Sequence, residues 1–410
     1  MGGKQSHELQ VQSVRVLGEN DAEHNPLQPK YQTPEYLRTI PHLRPRIPAN
    51  ALLLRMRSQV IATLTQFFAQ EGFVQCHTPI VTSSDCEGAG EVFTVSSNAA
   101  KDSGQKGKTE DEAQVEHFFR TPKYLTVSAQ LHLEALAQAV DKVWTLSPTF
   151  RAEKSDTPRH LSEFYMLEAE LCFTEQLEDV MSVVEKMLMA VAQSLDTSTV
   201  GAELLKAKAS ATKGDEASDN DVSETTLRQR WAGMRTGDWP RMTYNEAIQH
   251  LQQAVSDGKA NFTFQPSHED GLQAEHERYI ANTVGEGWRP VFVTDYPNAQ
   301  KPFYMPPSLS TAKSKGTEDT VACFDLLVPD LCELIGGSMR EHRSADLLQA
   351  MEKKSAAGSN LEWYQDLRKY GSVPHGGFGM GFDRLLCYLS GVSNVRDVVA
   401  FPRWYGRCDC

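Results

Sequence analysis

The feature that most constrains this chain is residues 146–173, LSPTFRAEKSDTPRHLSEFYMLEAELCF. It reads as two strands joined by a long, charged, proline-bearing loop. Side chains alternate between the two faces of a strand, so Arg151 and Glu153 share one face. On the returning strand Phe164, Met166, Glu168 and Glu170 alternate in the same way. Such a face offers a guanidinium, several carboxylates and an aromatic ring to one ligand. The loop adds Lys154, Arg159 and His160, donors suited to phosphate oxygens. The set suits a nucleotide whose base stacks on Phe164 and whose phosphates meet the arginines. The rival reading is an exposed, salt-bridged hairpin that does nothing chemical.

A hairpin of this kind needs a sheet around it, and the chain is long enough to build one. Its 410 residues are 40% hydrophobic, enough for one large domain or two ordinary ones. Residues 49–71 read as an amphipathic helix, with Leu53, Met56, Val60, Leu64 and Phe67/Phe68 at helical spacing and Gly72 as its stop. The strand FVQCHTPIV follows, with Pro79 near its end. Residues 117–127 read as a strand or two, 129–140 as a helix, and 175–195 as a helix with Val180, Val183, Val184, Met187 and Val191 inward. Residues 243–256 form a helix capped by Thr243, with Glu246 in capping-box position. Residues 271–284 and 344–370 are helical. VFVTDYP (291–297) is a buried strand, and residues 321–329 and 332–338 form a buried hairpin. Strands joined mostly by hairpins, with helices between groups, imply an α+β fold on an antiparallel sheet.

Three polar stretches, 97–116, 196–238 and 306–320, read as insertions, the second mobile and carrying one poor helix. Residues 8–18 alternate like a single strand led by Leu9 and Val11. One strand cannot form a domain, so it reads as the last piece of something mostly missing. Residues 19–48 follow as a proline-punctuated connection.

The net charge of −13 gives no overall attraction to nucleic acid, so any such contact must be a local patch. The 8 cysteines include no C-x-x-C pair, which fits a reduced, intracellular protein. No apolar run is long enough to span a bilayer, so no membrane partner is expected. The histidines include no H-E-x-x-H and no ligand cluster, so no zinc is expected.

Several positions outside the hairpin carry chemistry. Gly377-Phe378-Gly379-Met380-Gly381 puts glycines at every second position of a strand, which lets a ligand or another backbone approach closely. Arg384 then opens a helix, where its cation can cover a base and reach a phosphate; the rival role is a structural ion pair. Asp325 and Glu333 flank the turn of a buried hairpin. Buried carboxylates are costly unless paired or bound to metal. Mg²⁺ held by one or two carboxylates plus phosphates fits them, and pairing with Arg340 or Arg343 is the rival reading. Arg340 follows two glycines and a serine and reaches the same cavity or forms that ion pair. Glu87, in a loop of small residues, suits an ammonium or simply faces water. Ser128 and Gln130, at a strand-to-helix junction, bind a polar substrate, or Ser128 caps the helix.

Taken together, three of these stretches resemble the signature motifs of the class II aminoacyl-tRNA synthetases. The helix 49–71 with FVQCHTP is similar to motif 1, the dimer-forming element. FRAEKSDTPRHLSEF is similar to motif 2, and GGFGMGFDRL to motif 3, in matching order and separation. FRAE, RHLSEFYMLEAE, VFVTDYP, ELIGGSMRE and SVPHGGFGMGFDRL look like the asparaginyl members of the aspartyl/asparaginyl/lysyl subgroup. The resemblance implies ATP and Mg²⁺ as cofactors, L-asparagine and tRNA(Asn) as partners, and a homodimer. Arg151 would hold the α-phosphate and the amino-acid carboxylate, and Glu153 would read the adenine amino group. Arg159 and His160 would meet the outer phosphates. Phe164 and Arg384 would sandwich the adenine, with Gly381 beside it. Glu333 and Asp325 would hold Mg²⁺. Glu87, Ser128 and Gln130 would bind the α-amino group, and Arg340 and Glu168 would face the side-chain amide.

The resemblance divides the chain into residues 1–34, a remnant of the subgroup's OB-type anticodon barrel with its linker, and residues 35–410, the catalytic domain. Asp383 stands where the subgroup often has Glu. The compact layout looks bacterial or organellar, which points to mitochondria if the source organism has them and to the cytoplasm otherwise. Two alternatives use the same fold: a tRNA-independent relative that forms an amide, as in asparagine synthesis, and an aspartyl-tRNA synthetase. A non-catalytic binding protein is disfavoured because Arg151 and Arg384 are both present.

Overall fold

The computed structural model describes residues 8–83, 92–96, 117–211, 222–309, 319–354 and 361–410. In chain order, a short helix α1 (Pro34–Arg38) precedes the long helix α2 (Pro48–Gln70). Strands β1 (Val74–Gln75), β2 (Val81–Thr82), β3 (Thr94–Val95) and β4 (Lys123–Leu125) lead to helix α3 (Gln130–Val140). The central hairpin is β5 (Lys142–Phe150) and β6 (Glu163–Cys172), followed by α4 (Leu177–Asp196), α5 (Thr199–Ala211) and α6 (Glu224–Thr236). Strand β7 (Arg241–Thr243), helices α7 (Tyr244–Ser256) and α8 (Ala274–Thr283), and strand β8 (Val291–Thr294) come next. Then come the hairpin β9 (Cys323–Val328) and β10 (Cys332–Arg340), helices α9 (Ser344–Lys353) and α10 (Glu362–Lys369), strand β11 (His375–Gly381), and helices α11 (Phe382–Ser390) and α12 (Val395–Val398).

Eight strands form the main sheet in the order β1-β5-β6-β11-β10-β9-β8-β7. It is antiparallel except at its edges, where β1 runs parallel to β5 and β7 to β8. The expected α+β fold on an antiparallel sheet is therefore present. Opposed residues in neighbouring strands point to the same face, which lets the register sort the sheet into two surfaces. On one, Leu167 faces Met380, and Ala169 faces Phe378; these join the main core with residues of α2, α4 and α11. On the other, Glu168 faces Gly379, and Glu170 faces Gly377. The same row continues through Gly336 to Asp325. The polar face is the floor of the site.

The apolar face is anchored by α2, whose Met56, Val60, Leu64 and Phe68 are buried. Proline at the first turn suits its start, and Gly72 leaves it in the left-handed region at φ 80°. The Phe68 ring stacks on Trp144 of β5 at 4.5 Å, so this helix fixes the strand that carries the loop arginines. The capping box of α7 is formed as expected: Glu246 N–H donates to Thr243 Oγ1 at 3.2 Å, and Thr243 N–H donates to Glu246 at 2.7 Å.

Three expectations need correction. Residues 8–18 form no strand and lie exposed, with Leu9 94% accessible. Alternation without a neighbouring strand leaves the ladder bonds unpaired, so the pattern alone does not make a strand. The stretch around Pro79 is two separate short strands, one in each sheet, because proline cannot donate to a ladder; β2 pairs with β4, and β4 with β3. Residues 196–238 hold two helices rather than one poor one. Leu204, Leu205, Leu227, Trp231 and Met234 from these helices are buried in the main core, an apolar stripe masked by a polar average. Residues 97–116, 212–221 and 310–318 of the expected insertions lie outside the described residues, as do 1–7 of the expected remnant.

Candidate active site

Two adjoining clefts open on the polar face. The first, about 770 Å³, is lined by Arg151, Glu153, Arg159, His160, Phe164, Gly381 and Arg384, with Glu333 at its edge. The second, about 850 Å³, is lined by Ser128, Gln130, Glu168, Asp325, Arg340 and again Arg151 and Glu333. The candidate site residues read from the sequence therefore fall in one cleft or both, except Lys154, which lines neither, and Glu87, which lies outside the described residues. Arg151 and Glu333 belong to both, at the seam where two bound substrates would meet.

The first cleft gathers three arginines, Arg151, Arg159 and Arg384, beside the carboxylates of Glu153, Glu333 and Asp383. The Arg151 guanidinium lies 5.7 Å from the Phe164 ring centroid. Arg384 opens α11 and donates to the Glu333 carbonyl oxygen at 3.3 Å. His160 Nε2 is 3.7 Å from Glu153, and its Nδ1 meets Ser155 Oγ at 3.0 Å and Thr157 Oγ1. Burial pushes His160 below its ordinary value; Glu153 opposes this, while Arg384, Arg159 and Arg151 reinforce it. Burial disfavours charge of either sign; it is the three arginines around His160 that suit an anion such as a phosphate chain. Asp383 anchors the region, accepting from Arg57 of α2 at 2.5 Å and from the Tyr165 N–H at 2.9 Å. Gly377 of β11 has a steric reason, since a Cβ there would lie 2.4 Å from the Ala169 carbonyl oxygen.

The second cleft is built from paired charges. Glu168 accepts from Ser128 Oγ and, at 2.8 Å, from the Ala129 N–H. Ser128 Oγ also accepts from the Gln130 N–H at 3.1 Å, and the Gln130 side chain donates to Glu134 at 3.1 Å. Arg340 pairs through Nε and Nη2 with Glu170, and Nη1 donates to Ser338 Oγ at 2.6 Å. Arg343 pairs with Glu341 at 2.8 Å and Asp346 at 2.9 Å. The rival reading that Arg340 or Arg343 pairs with Asp325 or Glu333 is thus overturned. Asp325 instead meets Lys301 at 2.8 Å.

Asp325 and Glu333 converge. A Cβ built on Gly336 would lie 3.4 Å from Asp325 Oδ1 and 3.4 Å from Glu333 Oε1. Burial, and then Asp325, pushes the Glu333 carboxyl up. The carboxyl of Glu277, on α8, is pushed up to about 7 by burial, Glu333 and Asp325. Crowded carboxylates of this kind fit a hard cation with oxygen ligands. Among the described residues no group of three or more His, Cys, Asp or Glu side chains could hold a metal. A cation on Asp325 and Glu333 would draw its other ligands from phosphate and water.

Sequence reading missed Lys301, Tyr304, Glu277 and Glu134. Lys301 lies beyond the last residue of VFVTDYP, where no periodicity marks it. Glu134 sits on a helix face, and its partners Tyr364, Arg368 and His375 come from over 200 residues away. Glu170 was visible by its alternation with Glu168, but nothing local assigns it Arg340.

Two clefts of similar size, one gathering three arginines and the other built from paired charges, joined through Arg151 on an antiparallel sheet, are the arrangement of a class II synthetase. Residues 34–405 match the family described as tRNA synthetases class II (D, K and N). The chain is 42% identical over 410 residues to the mitochondrial asparagine–tRNA ligase of Saccharomyces cerevisiae, covering 98% of this chain and 78% of that one. It is 43% identical to the asparagine–tRNA ligase of Desulfotalea psychrophila, covering 99% and 81%. The asparaginyl-tRNA synthetase of Pyrococcus horikoshii complexed with asparaginyl-adenylate superposes with a TM-score of 0.72 at 30% identity, over 92% of this chain and 74% of that one. The Entamoeba histolytica asparaginyl-tRNA synthetase in complex with asparaginyl-adenylate superposes with a TM-score of 0.74 at 25% identity, over 97% and 77%. The chain belongs to the asparaginyl-tRNA synthetases.

Proposed function

We infer that this enzyme activates L-asparagine with ATP to asparaginyl-adenylate and transfers the asparaginyl group to tRNA(Asn). The observation that carries the reading is the pair of clefts meeting at Arg151, within a chain over 40% identical to asparagine–tRNA ligases. The asparagine carboxylate attacks the α-phosphate and pyrophosphate leaves. A terminal ribose hydroxyl of the tRNA then attacks the adenylate. No protein nucleophile is required, so positioning and charge stabilisation supply the rate.

In this reading Arg151 holds the α-phosphate and the reacting carboxylate, and Phe164 and Arg384 enclose the adenine beside Gly381. Glu153 reads the adenine amino group, and Arg159 and His160 meet the outer phosphates. Mg²⁺, when bound by Glu333 and Asp325, neutralises phosphate charge. Ser128 and Gln130 face the α-amino group, and Arg340 and Glu168 face the side-chain amide. The test is asparagine-dependent ATP–pyrophosphate exchange followed by charging of tRNA(Asn). Exchange without charging would favour a tRNA-independent amide-forming enzyme, and exchange with aspartate alone an aspartyl enzyme.

The relatives include enzymes named mitochondrial from two yeasts. We propose mitochondrial residence if the source is a eukaryote; a tagged full-length product that stays in the cytosol would overturn it. The motif 1-like segment supports a homodimer.

A further inference from the structure

We propose that Arg396 is a positioning residue for ATP, which holds residues 156–160 of the hairpin loop so that Arg159 and His160 face the outer phosphates. The inference rests on the outer-phosphate role proposed for those two side chains. Residues 151–162, between β5 and β6, carry no helix or strand of their own. A loop without a ladder of its own needs outside contacts to keep two phosphate-facing side chains in one geometry.

Those contacts come from the segment that follows α11. The Val395 N–H donates to the Pro158 carbonyl oxygen at 2.9 Å, and the Ser162 N–H donates to the Arg403 carbonyl oxygen at 2.7 Å. The Arg396 side chain adds a third tie. It is 6% exposed and lines neither cleft. Its Nη2 donates to the Thr157 carbonyl oxygen at 3.2 Å and meets Asp156 Oδ1 at 2.8 Å. Its guanidinium carbon lies 4.7 Å from the Trp404 ring centroid, so the ring backs the cation.

The Asp156 side chain is 75% exposed, so that ion pair alone contributes little. The Thr157 contact counts for more, because both phosphate-facing residues hang on Thr157. Its carbonyl oxygen also accepts from the His160 N–H at 3.2 Å. Its Oγ1 meets His160 Nδ1 and, at 3.4 Å, accepts from the Arg159 N–H. Arg396 is itself held from behind. Asn394 Oδ1 accepts from the Arg396 N–H at 3.0 Å, and Arg44 Nη2 donates to the Arg396 carbonyl oxygen at 2.8 Å. Asp397 accepts from Arg38 Nη2 at 2.6 Å. The connection before α2 thus clamps α12, and α12 presents one guanidinium to the loop. A planar guanidinium can stay on Trp404 and serve both acceptors, whereas a lysine ammonium is a point charge and cannot do all three.

The test is equilibrium binding of ATP and of AMP to the full chain, both with Mg²⁺, by titration calorimetry. AMP lacks the outer phosphates, so it reads only the adenosine and the α-phosphate. Arg396→Met keeps an apolar stem on Trp404 and removes the donors. It is expected to weaken ATP by about tenfold while AMP binds nearly as before. In pyrophosphate exchange it should raise KM for ATP and leave KM for asparagine unchanged. Arg396→Lys should weaken ATP in the same direction but less. A merely structural role would weaken ATP and AMP together, so an unchanged ratio of the two affinities in the methionine variant overturns the inference. If that variant does not fold, the lysine variant decides: weaker ATP with AMP unchanged supports the inference, and an unchanged ratio overturns it. Equal affinity of the unmodified protein for ATP and AMP would instead remove the outer-phosphate reading, and the inference with it.

Discussion

At the scale of single residues, Arg151 has the least redundant position, since it is the one cation lining both clefts among the described residues. In the proposed reading its work is transition-state charge rather than core packing. Arg151→Ala should lower asparagine-dependent pyrophosphate exchange by roughly 10²–10³, the usual loss for one oxyanion-type donor, with circular dichroism unchanged. Exchange within about tenfold of the unmodified enzyme would remove Arg151 from that role. Glu168 is a different case. Both its oxygens are engaged by the 128–129 junction, so it orients Ser128 in addition to the ligand-facing role proposed for it. Glu168→Gln should weaken asparagine use more than aspartate use, narrowing the gap between them. A gap that stays the same while both rates fall would mean that Glu168 only holds the junction.

At the scale of elements, one buried cluster ties α3, α10 and β11 together behind the second cleft. Glu134 is fully buried and meets Arg368, Tyr364 and His375. Burial pushes its carboxyl up, but Arg368, His375 and Arg340 outweigh burial and hold it well below the usual carboxylate range. The folded pKa lies below the unfolded one, so the stability this carboxylate contributes is present above about pH 4.3 and is lost as pH falls further. Glu134→Gln should lower stability at pH 7 by about 3–5 kcal/mol, as when one partner leaves a buried ion pair, and should flatten the acid loss. Urea midpoints measured at pH 7 and on acidification check both; equal pH slopes in the two proteins would count against Glu134 as the titrating group. This cluster also shows where sequence reading stops. Periods of two and 3.6 made β6, α2, α4 and α7 legible, and the glycines of β11 marked a close approach. The resemblance to the synthetases implied that Arg151, Phe164, Glu333 and Arg384 share one site. Charge pairing across the sheet was not legible, because Glu170 and Arg340, or Asp325 and Lys301, are joined only by strand register and loop closure. Average polarity misled at 196–238, where a few apolar residues at helical spacing were enough to dock two helices.

At the scale of the whole molecule, the open question of assembly is one the surface itself addresses. Leu54, Val74, Ile80, Val81 and Phe93 are all more than a third exposed. Single exposed apolar side chains are ordinary, but Leu54 and Val74 lie in the part that resembles motif 1, residues 49–71 with FVQCHTP, and Ile80 and Val81 follow it directly. A two-fold interface brings the same elements of both copies together, and exposed apolar side chains on those elements are what it would cover. The segment also leads to the site: β2 pairs with β4, the Thr126 N–H donates to the Ile80 carbonyl oxygen at 2.8 Å, and the Phe150 N–H donates to the Thr126 carbonyl oxygen at 2.9 Å. Thr126 is two residues from Ser128, and Phe150 is next to Arg151. Pairing would therefore brace both clefts from outside. Sedimentation at micromolar concentration should give twice the 45.7 kDa chain mass. Ile80→Asp would place a like charge on both copies at the interface, so it should shift the protein towards monomer and raise KM for asparagine. A monomeric unmodified protein would overturn the dimer. A monomeric Ile80→Asp variant with unchanged kinetics would leave the dimer standing but sever it from the site.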